Sequence, residues 1–303
     1  MMKKVLITGG TGTVGQSFIK EYYTEYEFHS ISRNEASITA LKRLFPNVNC
    51  YIGDICNLDH MVNLFTKIQP DIVIHAAALK HVNLAEENPL AASEINVLGS
   101  MNIAKASVRT NVPITIGVST DKACEPGSTY GYTKRLMETM FMQLHNEKTK
   151  FACTRFANVA HSNGSVLPFW LAEADKGNSL KLTDINMNRL MFSKQDASRL
   201  VKKAIDSLPY LGHPFILSKK MKTVNLLTLA TTISDNVEII GKRPGEKLDE
   251  ILINDQELPF TYVLDDYIYI LPVKQEKSLT TKHSSATAEY MTPQEIKELI
   301  WQQ

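Results

Sequence analysis

The segment Gly9-Gly10-Thr11-Gly12-Thr13-Val14-Gly15 follows an apolar run, Lys4 to Thr8, and opens a helical pattern, Val14 to Thr24. Glycines at positions 9, 12 and 15 let the backbone turn sharply and approach a pyrophosphate, while the helix N-terminus faces the anion. A glycine pattern alone is weakly specific, but the strand before it and the helix after it are what a dinucleotide-binding loop requires. The alternative is a tight structural turn. The residues predicted to bind the dinucleotide here are Gly9, Thr11, Gly12, Thr13, Val14 and Gly15.

Short apolar runs alternate with amphipathic stretches through the first half of the chain, as in a parallel sheet with crossover helices. The predicted strands are Lys4 to Thr8, Phe28 to Ser32, Val48 to Ile52, Ile72 to Ala76, Ile114 to Ser119 and Phe151 to Phe156. The predicted helices are Val14 to Thr24, Ala36 to Phe45, Leu58 to Ile68, Leu90 to Val108 and Tyr130 to His145. We expect an α/β fold, a Rossmann-type doubly wound parallel sheet with a smaller mixed C-terminal substrate-binding domain.

The alternation weakens after about residue 163. Residues 164–191 are predicted to form a helix and a loop, whereas a helix from Lys194 to Ser207 and a strand near Phe215 to Leu217 return to the first domain. The predicted dinucleotide-binding domain is therefore 1–163, with returns at about 190–217. The predicted substrate-binding domain is 164–189 and 218–303. The polar residues 275–287 are expected to be loosely ordered.

Composition excludes several classes of protein. The net charge of +1 indicates neither a nucleic-acid partner nor an anionic membrane surface. No apolar run approaches membrane-spanning length, and Gly9 and Gly10 interrupt the apolar start before a signal peptide could form. The four cysteines have no CxxC spacing and no histidine at ligand spacing, which argues against a disulfide framework or a metal site. We expect a cytoplasmic enzyme without a metal.

The end of the second predicted strand indicates which dinucleotide binds. An acidic side chain at this point usually binds the ribose hydroxyls of NAD, but the chain has Ser32, Arg33 and Asn34. Serine and arginine suit a 2′-phosphate, so we predict NADP; the alternative is that Arg33 is a solvated surface residue. Gly53-Asp54-Ile55 follows the third strand, where Asp54 can bond the adenine amine.

Small side chains follow the fourth predicted strand. The run Ala76-Ala77-Ala78 leaves room for the ribose and the nicotinamide linkage of the cofactor. Lys80 and His81 come next and are candidates for contacts with a sugar or a phosphate, with His81 favoured as a supporting group over a catalyst. Asn96 is a polar residue in an apolar helix, which predicts bonds to neighbouring main chain at the cofactor site.

The reactive groups are predicted in Ser119-Thr120-Asp121-Lys122 and Tyr130-Gly131-Tyr132-Thr133-Lys134. Tyr130 and Lys134 share a helical face, so we expect the ammonium to lower the pKa of the phenol and make it a base. Asp121 and Lys122 follow the fifth strand at its carboxyl end, where open α/β sheets bind ligands. Nearby Lys134 and partial burial are expected to lower the pKa of Lys122 as well. An acid and a base of opposite charge beside a hydride site favour elimination of water in addition to oxidation.

These residues together resemble the extended short-chain dehydrogenase/reductase superfamily and, more narrowly, the soluble UDP-N-acetylglucosamine 4,6-dehydratases of bacterial surface-sugar synthesis. Two segments are specific, because general sugar epimerases lack them: Leu79-Lys80-His81-Val82 and Asp121-Lys122-Ala123. The resemblance covers nearly the whole chain and extends to Arg155-Phe156-Ala157-Asn158-Val159, Gly164-Ser165-Val166 and Arg243-Pro244-Gly245-Glu246-Lys247-Leu248. The family usually has an arginine where Asn163 stands and a glycine where His161 stands, near the expected diphosphate contact.

The resemblance implies an NADP-dependent lyase that acts on a UDP-sugar. Tyr130 would be the base for hydride removal at sugar carbon 4, and Lys134 would hold Tyr130 and the nicotinamide ribose. Lys122 would take the carbon 5 proton and Asp121, with Thr120 beside it, would protonate the departing carbon 6 hydroxyl. Hydride return to carbon 6 would regenerate NADP in each turnover. The substrate contacts implied are Lys80, His81, Val82, Asn158, Ser165, Val166, Thr183, Met187, Arg189, Arg243 and Glu246.

Two alternatives remain open. A UDP-sugar epimerase shares the tyrosine chemistry but needs no acid–base pair at carbons 5 and 6. A non-catalytic NADP-binding regulator would be expected to have lost the Tyr130 and Lys134 pair, which this chain keeps. The resemblance also implies a homo-oligomer, a dimer or a higher assembly, through the helices Leu90 to Val108 and Tyr130 to His145. Retention or inversion at carbon 5 stays open.

Overall fold

The computed structural model describes residues 2–242 and 245–301. The strands of this part of the chain, numbered in order, are β1 Lys3–Thr8, β2 Tyr26–Ser32, β3 Asn49–Ile52, β4 Ile72–His75, β5 Ile114–Thr120, β6 Lys150–Phe156, β7 Asn158–Val159, β8 Leu180–Leu182, β9 Asn188–Phe192, β10 Phe215–Lys219, β11 Thr223–Asn225, β12 Val237–Ile239, β13 Ile251–Ile253, β14 Thr261–Leu264, β15 Tyr267–Ile270 and β16 His283–Ser284. The α-helices are α1 Thr13–Glu21, α2 Glu35–Leu44, α3 Leu58–Ile68, α4 Val82–Glu87, α5 Pro89–Ser93, α6 Gly99–Arg109, α7 Thr129–Leu144, α8 Val166–Asp175, α9 Lys194–Leu211, α10 Leu226–Ile233 and α11 Pro293–Trp301.

Nine strands form one sheet in the order β3-β2-β1-β4-β5-β6-β10-β15-β14. All pairs from β3 to β10 are parallel, whereas β15 and β14 are antiparallel to their neighbours. The order 3-2-1-4-5-6 is that of the doubly wound dinucleotide-binding fold, so the predicted Rossmann-type fold is confirmed. Strands β4, β5 and β6 are buried almost throughout, as strands covered on both faces should be, and β5 and β6 also bury the polar side chains Thr115, Thr154 and Arg155.

The helices that cover this sheet begin and end where their sequences provide caps. Asn34 and Asn57 accept hydrogen bonds from Ser37 N (2.8 Å) and His60 N (2.9 Å) at the starts of α2 and α3. Helix α9 begins at a Ser193 cap and ends at Gly212, whose φ of 67° is the left-handed conformation that glycine adopts most readily. These signals account for the agreement between the predicted and observed starts of α2, α3 and α9.

The helix predicted from Leu90 to Val108 is interrupted. The structure has α5, then a π-helical turn, Glu94–Leu98, and then α6. The extra residue per turn is a local property of hydrogen bonding that the apolar pattern does not encode, and such turns are frequent at functional sites. Here the turn contains Asn96.

The hairpin β14–β15 corrects the predicted placement of residues 261–270 in the substrate-binding domain. Strand β15 pairs with β10, so the hairpin extends the large sheet. Its two short strands are joined at Asp265, which has a φ of 55°, and Ile268 and Ile270 are buried. The hairpin follows the segments predicted to bind substrate in sequence but returns to the large sheet in space.

Residues 164–191 contain more structure than the predicted helix and loop, because β8 and β9 follow α8. Strand β9 lies between β7 and β11, and β8 pairs with β12. A second apolar core, separate from that of the large sheet, includes Trp170, Leu180 and Leu229. No helix within residues 2–242 and 245–301 is both long and apolar enough to cross a membrane.

The polar stretch 275–287 is also more ordered than predicted. Ser284 and Ser285 are buried, and β16 pairs with β13. The Ser285 hydroxyl donates to Asp249 Oδ1 at 2.9 Å. Small hydroxyl side chains can be buried when their hydrogen bonds are satisfied, and polarity alone therefore misleads here.

Candidate active site

A cavity of about 630 Å³ opens at the carboxyl ends of β1, β2, β4, β5 and β6. This is the edge at which open α/β sheets bind ligands. The predicted residues that line the cavity are Gly9, Thr11, Gly12, Thr13, Val14, Gly15, Ser32, Arg33, Ile55, Ala76, Ala77, Ala78, Lys80, His81, Thr120, Asp121, Lys122, Tyr130, Lys134, Asn158 and Ser165.

A second cavity of about 240 Å³ adjoins the first, and Asn158 and Ser165 line both. The other predicted residues that line it are Val166, Thr183, Met187, Arg189 and Glu246. Among the predicted residues that the structure describes, four lie outside both linings: Asn34, Asp54, Val82 and Asn96. Arg243 lies outside the described residues.

The glycine loop has the close packing that a pyrophosphate cradle requires. Gly9 has a φ of 72°, and a Cβ there would lie 2.8 Å from Ala77 N. Gly12 is the N-cap of α1 and has no side chain to cover the first turn of the helix. The N-terminus of α1 therefore faces the cavity with its backbone N–H groups, and the loop fits a dinucleotide phosphate.

The end of β2 presents Arg33 to the cavity. The Arg33 side chain is 60% exposed, and its Nη1 lies 3.9 Å from Asp54 Oδ2. Thr11 Oγ1 donates to Ser32 Oγ at 3.4 Å, which ties this corner to the glycine loop. Asn34 caps α2 and Asp54 Oδ1 accepts from Cys56 N at 2.9 Å, so both also shape the local backbone.

Asn96 fixes the loop that follows β4. Its Oδ1 accepts from Leu79 N at 2.8 Å, and its Nδ2 donates to Leu79 O and Thr133 Oγ1, both at 3.0 Å. The bonds to main chain were predicted, although they reach a loop 17 residues earlier in the chain. Asn96 thus joins the cofactor side of the cavity to α7, the helix of Tyr130.

Asp121 lies beneath the cavity with one carboxylate oxygen engaged. Its Oδ1 accepts from Thr120 Oγ1 (2.8 Å), Lys122 N (2.9 Å) and Lys122 Nζ (3.2 Å). Its side chain is 1% exposed, and Oδ2 is buried with no hydrogen-bond partner in the described part of the chain. Buried polar atoms are rarely unpaired, so this oxygen is a candidate contact for a bound molecule.

Lys122 is held between two carboxylates. Its Nζ lies 3.2 Å from Asp121 Oδ1 and 3.4 Å from Glu250 Oε1. Burial acts to lower the pKa of Lys122, but these two carboxylates outweigh it and raise the pKa above its ordinary value. The predicted lowering of this pKa is therefore wrong, because the sequence did not reveal Glu250. The only local signal was an acid at the end of a charged turn, directly before the apolar strand β13.

Tyr130 and Lys134 do not interact as predicted. Burial raises the pKa of Tyr130 to about 12, and the positive charge that opposes this effect is that of Lys122. Lys134 Nζ donates to Met137 Sδ at 3.1 Å, and burial lowers its pKa to about 8. The expectation that Lys134 depresses the phenol pKa is thus wrong for this structure. Helical spacing predicts that Tyr130 and Lys134 lie on the same face of α7, but it does not predict which atoms each side chain contacts.

Gly131 sets the distance between α7 and the 3₁₀ turn Asp121–Ala123. A Cβ at Gly131 would overlap the carbonyl oxygen of Lys122. Ser128, the N-cap of α7, accepts from Gly131 N at 3.2 Å. This close approach brings Tyr130 beside Lys122 in the cavity.

We expect Gly131→Ala to lower the free energy of unfolding by about 1–3 kcal/mol, the usual effect of overpacking, and to reduce activity as α7 moves away. Gly127→Ala is the matched control, because its Cβ would meet only the flexible Lys247 side chain, at 3.2 Å. Urea unfolding of the two variants measures the difference. Equal stabilities would contradict the close contact.

A buried ionic cluster lies behind this turn. The fully buried guanidinium of Arg155, on β6, donates to Glu138 Oε2 and Glu257 Oε2, both at 2.8 Å. Ser119 Oγ donates to Glu138 Oε1 at 2.7 Å. The cluster therefore joins the end of β5 to α7 and to a segment late in the chain, and it was not predicted.

Arg189 supports the smaller cavity through main-chain contacts. Its Nη1 donates to Leu248 O and its Nη2 to Lys247 O, both at 2.9 Å. Asn163 lines the larger cavity and its backbone N donates to Thr13 Oγ1 at 2.9 Å, whereas His161 lines neither cavity and one of its ring nitrogens lies 3.0 Å from Leu299 O. These two residues depart from the family pattern. Asn163 ties the segment that contains them to Thr13 of the glycine loop, and His161 ties it to α11.

Residues 5–272 match the family described as "Polysaccharide biosynthesis protein". The chain belongs to this family. It is 35% identical over 283 residues to a protein of Campylobacter jejuni subsp. jejuni serotype O:23/36 (strain 81-176) named "UDP-N-acetylglucosamine 4,6-dehydratase (inverting)", covering 89% of this chain and 83% of the relative. It is 29% identical to a "UDP-glucose 4-epimerase" of Rickettsia massiliae (strain Mtu5), covering 98% and 95%.

Among solved structures, the chain is similar to Pen from Bacillus thuringiensis, with a TM-score of 0.91 and 29% identity over 99% of this chain and 98% of the other. The family match, the relatives and the fold together identify an enzyme of the short-chain dehydrogenase/reductase superfamily that includes sugar-nucleotide dehydratases and epimerases. The predicted resemblance is confirmed at this level.

Proposed function

We propose that this protein catalyses the NADP-dependent dehydration of UDP-N-acetylglucosamine to a UDP-4-keto-6-deoxy-N-acetylhexosamine, in bacterial surface polysaccharide or glycan biosynthesis. The observation that carries the proposal is the group of Asp121, Lys122 and Tyr130 on one cavity. A phenol, a carboxyl and an amine there provide the three proton-transfer groups that oxidation followed by elimination requires. The name of the Campylobacter jejuni relative supports the same reaction.

Each group has a separate task in this proposal. Tyr130, as its phenolate, accepts the proton of the carbon 4 hydroxyl, and Lys122, as the neutral amine, takes the proton from carbon 5. Asp121, protonated at Oδ2 in the reactive state, gives that proton to the hydroxyl that leaves carbon 6, so that one molecule of water is lost. Carbon 5 regains a proton when hydride reaches carbon 6. NADP would be held by the glycine loop and by Arg33 and, when bound, would supply the hydride-transfer chemistry that connects carbon 4 and carbon 6.

The two cavities suit the two halves of such a substrate. We propose that the sugar lies in the larger cavity, near Lys80, His81 and Lys122, and that the uridine diphosphate extends past Asn158 and Ser165 into the smaller one. These last two residues line both cavities, so a single ligand can occupy both. Thr183, Met187, Arg189 and Glu246 would surround the uridine end.

A UDP-sugar 4-epimerase is the second candidate, favoured by the name of the Rickettsia massiliae relative. Incubation of the purified enzyme with UDP-N-acetylglucosamine separates the two. The dehydratase gives a keto sugar that absorbs in alkali, the epimerase gives an isomer, and a non-catalytic regulator gives neither. Proton NMR of the product in heavy water also shows whether carbon 5 is inverted. An isomer without a keto sugar would overturn the proposal.

The choice of cofactor gives a separate prediction. If the exposed Arg33 guanidinium binds the 2′-phosphate, Arg33→Ala should weaken NADP binding by about tenfold or more, because a charge-assisted hydrogen bond contributes roughly 1.5–3 kcal/mol. Binding of NAD should change little. Calorimetry with both dinucleotides tests this, with Arg43→Ala, an exposed arginine near the end of α2, as control. Equal affinities of the wild type for NAD and NADP would refute the assignment.

A further inference from the structure

Glu250 is a buried carboxylate that contacts the amine of Lys122, and neither the sequence pattern nor the family comparison assigns it a role. We propose that Glu250 is a positioning residue that fixes the Lys122 amine in the cavity and controls its protonation. This inference rests on the proposed function, in which Lys122 is the carbon 5 base.

The geometry of the contact supports this role. Glu250 Oε1 lies 3.4 Å from Lys122 Nζ, and the two side chains are 8% and 22% exposed. Asp121 Oδ1 contacts the same amine at 3.2 Å. The carboxylates of Asp121 and Glu250 thus both restrain the amine. Lys122 still lines the cavity where the sugar is proposed to bind.

Glu250 is itself held by the late segment of the chain. Its backbone N donates to Ser285 Oγ at 3.0 Å, and Ser285 N donates back to Glu250 O at 2.9 Å. The next residues belong to β13, which pairs with β16. The carboxylate therefore approaches Lys122 from a fixed backbone, unlike a surface ion pair between two mobile side chains.

The charges that face Lys122 determine the sign of the expected effect. Asp121 and Glu250 favour its ammonium form, Arg189 disfavours it, and the Tyr130 phenol is its other titratable neighbour. Removing the Glu250 charge should lower the pKa of Lys122. Because the neutral amine is the base, the rise of activity with pH should then occur at lower pH. Loss of one restraint should also reduce the maximal rate.

The first test measures deuterium incorporation at carbon 5 as a function of pH. Glu250→Gln is expected to move the acid limb of this profile down by about one pH unit or more, the usual effect of one neighbouring opposite charge. Asp249→Asn is the matched control, because it removes the adjacent carboxylate, which accepts from Ser285 and Asn188. Its acid limb should stay at the wild-type pH. Glu250→Asp keeps the charge, so the pH of its acid limb should lie between those of the wild type and Glu250→Gln.

A second test needs no turnover. NMR of protein labelled with ¹³C at lysine Cε gives the titration of Lys122 directly, with the signal assigned by its loss in Lys122→Met. Glu250→Gln should lower this midpoint. If the wild type forms no keto sugar but the midpoint moves, the proposed function is wrong and the control of Lys122 by Glu250 stands. If Glu250→Gln lowers the rate but moves neither the acid limb of the pH profile nor the titration midpoint of Lys122, Glu250 is merely structural and the inference fails.

Circular dichroism will show whether Glu250→Gln folds. If it does not, Ser285→Ala replaces it, because this change removes the hydroxyl that accepts from Glu250 N. A looser Glu250 should shift the Lys122 midpoint in the same direction by a smaller amount. A folded Ser285→Ala protein with the wild-type midpoint would overturn the inference.

Discussion

Lys122→Met is expected to abolish both keto-sugar formation and deuterium incorporation at carbon 5. Loss of a general base costs roughly a hundredfold to ten-thousandfold, and elimination has no other route if Lys122 alone takes this proton. In the proposed mechanism oxidation at carbon 4 relies on Tyr130, so bound NADP should still be partly reduced when substrate is added. Proton NMR in heavy water measures the exchange, and absorbance of the reduced cofactor measures the oxidation.

This result would separate a dehydratase from an epimerase, because an epimerase acting at carbon 4 does not need a base at carbon 5. The control is Lys148→Met, an exposed lysine in the loop between α7 and β6. It should behave as wild type. Exchange at the normal rate in Lys122→Met would show that the base lies elsewhere and that the proposed mechanism is wrong.

Tyr130→Phe is expected to lower turnover by about a hundredfold or more, because the variant lacks the group proposed to accept the carbon 4 hydroxyl proton. The change removes one oxygen atom from a partly buried side chain, so substrate affinity should change little. Unlike Lys122→Met, this variant should also fail to reduce the bound cofactor. Steady-state kinetics and cofactor absorbance measure the two effects.

Tyr132→Phe is the matched control, since Tyr132 lies on the same helix and its ring is 61% exposed. It should retain wild-type turnover. If Tyr130→Phe also keeps wild-type turnover, another group acts as the carbon 4 base.

The central sheet was predictable because its signals are local. The glycine loop, the buried apolar runs of β1 and β4 and the caps of α2 and α3 all act over a few residues. Strands such as β8 and β9 were missed because they are short, and their partners lie in distant parts of the chain. The hairpin β14–β15 was misplaced for the same reason, since pairing with β10 is a tertiary contact.

The members of the candidate site were predictable in part from topology. Carboxyl ends of parallel strands meet at one edge, so residues after β1, β4 and β5 had to lie near one another. The protonation of these groups was not predictable. Lys134 contacts Met137 and not the phenol, while Lys122 meets a carboxylate, Glu250, that reaches it from a remote segment.

The buried guanidinium of Arg155 has a consequence for the order in which the chain matures on the ribosome. Arg155 and Glu138 are synthesised well before Glu257, yet the native position of Arg155 is fully buried against both acids. A nascent chain that ends before Glu257 has the ion pair with Glu138 but lacks both the second carboxylate and the segment around Leu252 that covers the guanidinium. We infer that this cluster, which joins the end of β5 to α7, is completed only after the chain beyond Glu257 has emerged.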